Sequence, residues 1–295
     1  MNGEELQMLW SGAQGEPPVP IAYRFQKPKE NEPTFVWFGG FKSEMASVKA
    51  SALASWAREN GAGCLRFDYS GHGKSGGRFE DGTISAWLGQ AAAICAHALE
   101  GTPAVFVGSS MGGWIALLLA RLAEVPPHSV SLAEGREDVR TILDENSRVP
   151  SPLGEKDRMR GDLAPNLKGV ALIAPAWDMT RLFWEHATAE IRGTVVRDGV
   201  YYRPSAYGDG PYAITRALIE DGERHLFGAG PIPLSVPIRI LHGCQDPDIP
   251  WRHSLALLDA AACPDMRLTL IKDGEHRLSR PRDLALFFST LSEFL

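Results

Sequence analysis

The sequence predicts one α/β domain built on a mostly parallel, doubly wound sheet, and three observations support this fold class. First, several short apolar runs are continuous rather than alternating, which is typical of strands buried on both faces. Second, segments with helical spacing separate these runs, and such β–α repetition is typical of a parallel sheet covered by helices. Third, the chain has 295 residues, 44% of them hydrophobic, which suffices for one large core and a small lid.

Six apolar runs provide the predicted buried strands, and helical segments lie between them. The runs are 34–38 (TFVWF), 64–67 (CLRF), 104–107 (AVFV), 170–174 (VALIA), 238–242 (IRILH) and 268–271 (LTLI). The segments with helical spacing are 45–59, 84–99, 111–124, 254–262 and 282–294. Two N-terminal runs, 6–10 and 21–25, are predicted to form an antiparallel hairpin at the edge of the sheet.

Two segments interrupt this alternation. Residues 126–166 contain five prolines and many charges, and they are predicted to form a solvated surface excursion. Residues 176–235 are rich in aromatic side chains and have helical patterns but no clear sheet strand. We therefore expect an α/β core made of 1–175 and 236–295, with 176–235 inserted as a helical lid. Residues 176–235 are called the lid segment below.

Charge and terminal composition exclude several function classes. The net charge is −6 and no Lys/Arg run is present, so nucleic acid is not an expected partner. No apolar run reaches the roughly 18 residues that a membrane helix needs. The first five residues (MNGEE) are acidic and resemble neither a signal nor a transit peptide, and the four cysteines are scattered. These features predict a cytoplasmic protein without a membrane span.

A candidate nucleophile lies in the run GSSMG at 108–112, which matches G-x-S-x-G. The run directly follows a predicted strand and directly begins a predicted helix, as a nucleophile elbow requires. The flanking glycines let the backbone turn sharply, so that the Ser110 hydroxyl would stand clear of the sheet edge. Ser110 is therefore the predicted nucleophile, and the alternative is a glycine-rich turn without chemistry.

An oxyanion hole needs two backbone N–H groups close to the nucleophile. The amide of Met111 directly follows Ser110 and is the first predicted donor. The run FGGF at 38–41 follows an earlier strand, and the amide of Phe41 is the second predicted donor. A simple turn is the alternative interpretation of this run.

A serine nucleophile needs a base, and His276 lies in a polar loop between the last strand and the last helix. The order Ser, Asp, His along the chain is that of α/β hydrolases. The acid should follow the preceding strand, where the run HGCQDPDIP offers Asp246 and Asp248. Asp246 is preferred from its place in an H-G-x-x-D loop, while His242 is expected to form hydrogen bonds within that loop.

The sequence motifs do not favour a nucleotide, metal or dinucleotide site. The run DYSGHGKS at 68–75 ends like a P-loop, but that motif needs glycine at position 68, where Asp68 would repel phosphates. The histidines show neither H-x-H nor H-E-x-x-H spacing. No G-x-G-x-x-G begins a helix. We therefore predict no cofactor and no catalytic metal.

Five runs carry a resemblance to a known family: WFGGFKSEM, LRFDYSGHGKSGG, VGSSMGGW, RILHGCQDPDIPW and DGEHRL. Together with VYYRPSAYGDGPYAITRALIEDGERH in the lid segment, they resemble acyl-protein thioesterases of the α/β-hydrolase-domain type. That family contains a mitochondrial depalmitoylase also described as an acyl-glucuronide esterase of mycophenolic acid. The resemblance implies an α/β-hydrolase fold, a triad of Ser110, Asp246 and His276, and hydrolysis of thioesters or activated esters without a cofactor. The missing targeting peptide and the additional 126–166 segment depart from this family pattern. The first departure predicts a bacterial-type, cytoplasmic relative, and the second is expected to affect access to the site.

The predicted function is that of a serine hydrolase acting on acyl thioesters or activated carboxylic esters through an acyl-enzyme on Ser110. A serine at the elbow argues against dehalogenases and epoxide hydrolases, which use aspartate there. The alternatives are an acyl-glucuronide esterase, with Arg192, Arg197 or Arg203 as candidate contacts to the sugar, and a general carboxylesterase. A binding protein without catalysis on the same scaffold is a further alternative.

Overall fold

The computed structural model describes residues 4–11, 18–124, 166–205, 210–228 and 230–295. The predicted surface excursion at 126–166 lies outside the described residues except for Asn166. Among the described residues, no helix has the length and apolar character that crossing a membrane requires.

Among the described residues, the central sheet has eight strands: β1 (Gln7–Ser11), β2 (Val19–Gln26), β3 (Thr34–Phe38), β4 (Gly63–Phe67), β5 (Ala104–Ser109), β6 (Leu167–Ile173), β9 (Ile238–Gly243) and β10 (Met266–Ile271). They lie side by side in the order β1-β2-β4-β3-β5-β6-β9-β10. The predicted N-terminal hairpin is confirmed, because β1 and β2 pair antiparallel, and β2 is also antiparallel to β4. All other neighbours are parallel.

Helices cover both faces of the sheet, which explains why its strands are continuously apolar. In β3, Val36 and Phe38 join the larger core cluster, while Phe35 and Trp37 join a second cluster on the opposite face. In the part of the chain that the structure describes, the five α-helices outside the lid segment are α1 (Val48–Glu59), α2 (Ile84–Leu99), α3 (Met111–Glu124), α7 (Trp251–Ala260) and α8 (Pro281–Leu291). Full burial of each large apolar side chain contributes about 1.5–3 kcal/mol to the free energy of folding. This double-sided core therefore holds the carboxyl ends of the parallel strands in place.

In its described residues, the lid segment contains three α-helices and one feature that the sequence did not reveal. The helices are α4 (Met179–His186), α5 (Ala189–Asp198) and α6 (Arg216–Gly222). Between α5 and α6, the strands β7 (Val200–Arg203) and β8 (Tyr212–Thr215) pair antiparallel in a separate two-stranded sheet. Each strand has only four residues, too few for a recognisable alternation. The division into core and lid domains stays a prediction.

Candidate active site

Ser110 lies between the end of β5 and the start of α3 in a left-handed backbone conformation, with φ 55°. A residue with a side chain avoids this conformation, which costs roughly 1–2 kcal/mol. Backbone hydrogen bonds hold it in place: the Ser110 N–H donates to the Ile173 carbonyl at 2.9 Å, and its carbonyl accepts from Gly113 at 2.9 Å and Ala176 at 3.0 Å. The turn therefore has the form of a strained nucleophile elbow.

The packing around the two glycines of the motif leaves no room for a side chain. A Cβ atom on Gly108 would lie 2.5 Å from the Gly112 carbonyl oxygen. A Cβ atom on Gly112 would overlap the carbonyl oxygens of Phe38 and Gly39. A side chain at Gly112 would therefore force the start of α3 away from the end of β3, and a side chain at Gly108 would force it away from β5.

The segment 39–45, named here the oxyanion loop, passes beside the elbow. A Cβ atom on Gly40 would lie 3.2 Å from the Ser109 carbonyl oxygen and 3.3 Å from Ser110 Cβ. The ring of Phe41 packs edge-on against Phe79, at 4.8 Å between ring centroids. The structure thus brings Phe41 close to Ser110, while Met111 is the first residue of α3, where the helix dipole favours negative charge.

Asp246 follows β9 and is held on both carboxylate oxygens. Oδ1 accepts backbone N–H bonds from Asp248 at 2.8 Å and Ile249 at 2.9 Å. Oδ2 lies 2.6 Å from Nδ1 of His276 and 3.2 Å from Nε2 of His242, and the side chain is fully buried. Burial opposes ionisation, but the hydrogen bonds from His242 and His276 prevail and hold the pKa of Asp246 well below its usual range.

Asp248, the alternative acid, has a different partner. Its Oδ1 accepts from Nη2 of Arg203 at 2.8 Å, which ties strand β7 of the lid segment to the loop that follows β9. The geometry therefore favours Asp246 over Asp248 as the residue that orients His276. A separate role for Asp248 was not apparent from the sequence, because a salt bridge across 45 residues leaves no local signal.

His242 stabilises the acid loop rather than facing the cavity. It is fully buried at the end of β9, with Nε2 donating to the Ile249 carbonyl at 2.9 Å and Nδ1 lying 2.7 Å from the Ser254 hydroxyl. The same Nε2 is near Asp246 Oδ2 at 3.2 Å. These contacts agree with the hydrogen-bonding role expected from the sequence.

His276 lies in the turn between β10 and α8, and both ends of this turn are fixed. On the β10 side, a Cβ atom on Gly243 would overlap the Gly274 carbonyl. The loop after β9, which carries Asp246, therefore touches the loop after β10, which carries His276. On the α8 side, Arg280 donates to Asp283 at 2.7 Å and to the Asp273 carbonyl at 2.8 Å. The imidazole is thus presented from a constrained loop with Asp246 behind it.

Ser110 and His276 line one cavity of about 780 Å³. Side chains of the lid segment form an apolar part of its wall: Met179, Phe183, Tyr212, Ile214, Leu218 and Ile219. Charged residues line it as well, among them Lys42, Lys49, Arg203 and Arg277. Lys49 donates to the Arg277 carbonyl, and burial lowers its pKa to about 8. The cavity thus combines a candidate nucleophile and base with room for an apolar chain.

Three of these groups also satisfy a coarse criterion for a metal site. Among the described residues, Asp246, Asp248 and His276 bring one potential ligand atom each to within 4.8 Å of one another. Asp246 already accepts four hydrogen bonds or near contacts, and Asp248 is paired with Arg203. A cation there would have to displace these partners, so a metal-independent site stays our prediction.

Comparison with known proteins places the chain among hydrolases. Residues 37–285 match the model of the alpha/beta hydrolase family. A crystal structure described as a hydrolase from Agrobacterium vitis S4 has a TM-score of 0.81 and 35% identity, with 99% of each chain covered. These two findings agree with the mostly parallel sheet of the described fold.

Two mammalian proteins are similar over most of the chain. The human protein named palmitoyl-protein thioesterase ABHD10, mitochondrial, is 28% identical over 272 residues, which is 92% of this chain and 76% of the human one. The structure of alpha/beta hydrolase domain-containing protein 10 from mouse has a TM-score of 0.75 and 26% identity, covering 98% and 97% of the two chains. The predicted cytoplasmic location stays a prediction, because the human relative is named as mitochondrial. By its family match and its fold, the chain belongs to the alpha/beta hydrolase family.

Proposed function

We propose that the protein is a serine hydrolase that cleaves acyl thioesters or activated carboxylic esters. The observation that carries the proposal is the 2.6 Å contact between His276 Nδ1 and Asp246 Oδ2, behind a cavity that Ser110 and His276 both line. Membership of the hydrolase family and the thioesterase names of the relatives support the same conclusion.

In the first half-reaction, Ser110 Oγ attacks the acyl carbon while His276 Nε2 takes the hydroxyl proton. Asp246 keeps the proton of the imidazole on Nδ1 and stabilises the imidazolium that forms. The amides of Phe41 and Met111 donate to the oxyanion of the tetrahedral intermediate. The carbon–sulfur or carbon–oxygen bond then breaks, and His276 returns the proton to the leaving group.

In the second half-reaction, water replaces the leaving group. His276 removes a proton from the water as its oxygen attacks the acyl carbon of the acyl-enzyme. The second tetrahedral intermediate uses the same two amides, and its collapse releases the carboxylic acid and restores the Ser110 hydroxyl. Every group that this cycle needs is supplied by the chain and by water.

The acyl side of the substrate is assigned to the lid segment. Its apolar side chains, including Phe183 and Leu218, line the cavity that contains Ser110. An apolar pocket with a few polar groups suits a fatty or aromatic acyl group. We therefore propose that residues 176–235 act as the lid of the site.

The acyl-glucuronide alternative depends on a cation that could hold the sugar carboxylate. Of the three arginines considered, Arg203 lines the cavity, but it is paired with Asp248. Arg197 is paired with Asp198 on the surface, and Arg192 donates to the Ala187 carbonyl. Lys42, Lys49 and Arg277 line the cavity as well, so the acyl-glucuronide is kept as the second candidate. The thioester or activated ester comes first because of the apolar wall of the cavity and the thioesterase names of the relatives.

A fluorophosphonate probe separates a serine hydrolase from a binding protein on the same scaffold. We expect the probe to label the wild-type protein and the Ser109→Ala variant, but not Ser110→Ala. Ser109 is the matched control because it is adjacent and also lines the cavity. Labelling of Ser110→Ala, or none of the wild-type protein, would contradict the proposal.

A further inference from the structure

The oxyanion loop is tied to the loop at 68–75, which the proposed reaction does not otherwise use. The backbone N–H of Lys42 donates to Nε2 of His72 at 3.0 Å. Three residues later, the N–H of Met45 donates to Oδ1 of Asp68 at 2.6 Å. Two side chains that follow β4 thus hold the loop that carries Phe41.

The first of these bonds falls on a strained part of the loop. The Ser43 N–H donates to the Gly40 carbonyl at 3.0 Å, which closes a turn with Phe41 and Lys42 at its centre. Lys42 has φ 57°, a left-handed conformation that residues with side chains rarely adopt. Such a conformation persists only when its surroundings hold it, and the bond to His72 is such a restraint.

The hydrogen bonds of His72 define its protonation state. Nδ1 lies 3.0 Å from the Ser70 carbonyl and must therefore carry a proton, while Nε2 must be bare to accept from Lys42. The ring is buried, and burial lowers the pKa of His72, with the Ser70 bond and the Asp68 charge opposing. The aromatic rings around it are those of Tyr69, Phe79 and Trp87.

We propose that His72 is a positioning residue of the oxyanion hole, which holds the peptide between Phe41 and Lys42 so that the Phe41 N–H stays directed at the oxyanion. The inference rests on the proposed function. Fixing the Lys42 N–H fixes the plane of the peptide that follows Phe41, and Gly40 on its other side is packed against the elbow. Without the acceptor, His72 no longer holds this peptide in its plane. Lys42 can then leave its left-handed conformation.

Four variants test the role. His72→Leu removes the acceptor, and His72→Asn is too short to reach Lys42 while keeping a polar group near Ser70. His72→Gln offers a carbonyl oxygen close to the place of Nε2 and should rescue the function. Ser70→Ala is the matched control, because Ser70 lies on the same loop as His72. This change removes the hydrogen bond that Gln90 donates to the Ser70 hydroxyl and leaves the bond between Lys42 and His72.

The readouts are kcat and KM for p-nitrophenyl octanoate and the inhibition constant of an octyl trifluoromethyl ketone, whose adduct places an oxyanion in the hole. Deleting an oxyanion donor typically costs 10²–10³ in kcat, so a misplaced one should cost about 10- to 100-fold in His72→Leu and His72→Asn. We expect KM to change little and the inhibition constant to rise in parallel. His72→Gln and Ser70→Ala should stay close to the wild-type protein.

Each other outcome is decisive. A folded His72→Leu or His72→Asn with wild-type kcat would overturn the positioning role, and so would losses of equal size in His72→Gln and Ser70→Ala. A change in KM alone would also overturn it. If the wild-type protein hydrolyses the ester and Ser110→Ala does not, such a failure concerns His72 only; if the wild-type protein is inactive, the proposed function fails with it.

Discussion

At the scale of single residues, the site depends on side chains whose state is set by what they touch. Asp246 is buried yet held ionised by hydrogen bonds, and it contacts His276 at 2.6 Å. Asp248, two residues away, is paired with Arg203. Two neighbouring carboxylates thus have separate partners, His276 and Arg203, so the separate roles proposed for them can be tested by measurement.

Asp246→Asn should reduce kcat far more than Asp248→Asn. A neutral amide cannot stabilise the imidazolium and favours the wrong tautomer of His276; the comparable change in a serine protease cost about 10⁴ in kcat. Asp248→Asn weakens a partly exposed salt bridge, so we expect a change of less than about tenfold. Steady-state kinetics of both variants would rank them, and the reverse ranking would make Asp248 the acid.

The pH dependence of stability tests the effect of burying Lys49. Its pKa is about 8 in the folded protein, against an ordinary value of 10.5, so the unfolded chain binds more protons between these pH values. The lysine therefore destabilises the fold in full below about pH 8, and the effect fades as the pH rises towards 10.5. Lys49→Met should raise the melting temperature at pH 7 more than at pH 10, whereas the exposed Lys74→Met should not. An equal shift at both pH values would contradict this account.

At the scale of secondary-structure elements, packing determines which helix positions can hold a side chain. Gly112 lies where α3 approaches β3, and there is no space for a Cβ atom. Gly193 in α5 has nothing within 4 Å of its Cβ position. Both glycines lie in helices, but packing requires a glycine only at Gly112; at Gly193 there is room for a side chain.

Gly112→Ala should destabilise the protein and abolish hydrolysis, because overpacking a rigid junction costs about 1–3 kcal/mol and moves the elbow. Gly193→Ala should stabilise it by about 0.5–1 kcal/mol through helix propensity. Chemical denaturation of both variants measures the difference. A tolerated Gly112→Ala would show that the elbow can move away from β3 without loss.

The lid segment should determine preference for acyl length. Phe183→Ala removes an apolar part of the cavity wall, so kcat/KM for an octanoyl ester should fall about tenfold, the effect of losing about 1.4 kcal/mol, while an acetyl ester is spared. Val196→Ala, an exposed position of the same segment, is the control. An equal loss on both esters would argue against acyl contact with Phe183.

Much of the site could be predicted from the sequence because its signals are local. The motif around Ser110, the chain order to Asp246 and His276, and the loop with Phe41 are each contained in a few consecutive residues, next to strands with continuous apolar runs. The features that were not predicted have two causes. The strands of the β7–β8 ribbon have four residues each, too few for a recognisable alternation. The bonds of Arg203 to Asp248 and of Lys42 to His72 join segments that are far apart in the chain, so no short pattern encodes them.

At the scale of the whole molecule, one sheet brings four loops to one cavity. The loops that follow β3, β5, β9 and β10 carry Phe41, Ser110, Asp246 and His276, and the carboxyl ends of parallel strands share one edge of the sheet. The lid segment, inserted between β6 and β9, adds the apolar wall. This arrangement is the basis of the proposal that the substrate is an acyl compound with an apolar chain against the lid segment.

Acyl thioesters should be cleaved with a higher kcat/KM than unactivated alkyl esters of the same acyl chain. A thiolate, with a pKa of about 8.5 for free cysteine, leaves more readily than an alkoxide. A paired assay of octanoyl thioester, octanoyl ethyl ester and an acyl-glucuronide would rank the substrates, with Ser110→Ala as the blank. Glucuronide turnover without thioester turnover would reverse our order of substrates.

The most direct measurement is the covalent intermediate itself. The wild-type protein, quenched with acid during turnover of an octanoyl thioester, should carry one octanoyl group, and peptide mapping by mass spectrometry should place it on Ser110. The Ser110→Ala variant should carry none and the Ser109→Ala variant should match the wild-type protein. An acyl group on another residue, or turnover in Ser110→Ala at the wild-type rate, would contradict the assignment of Ser110 as the nucleophile.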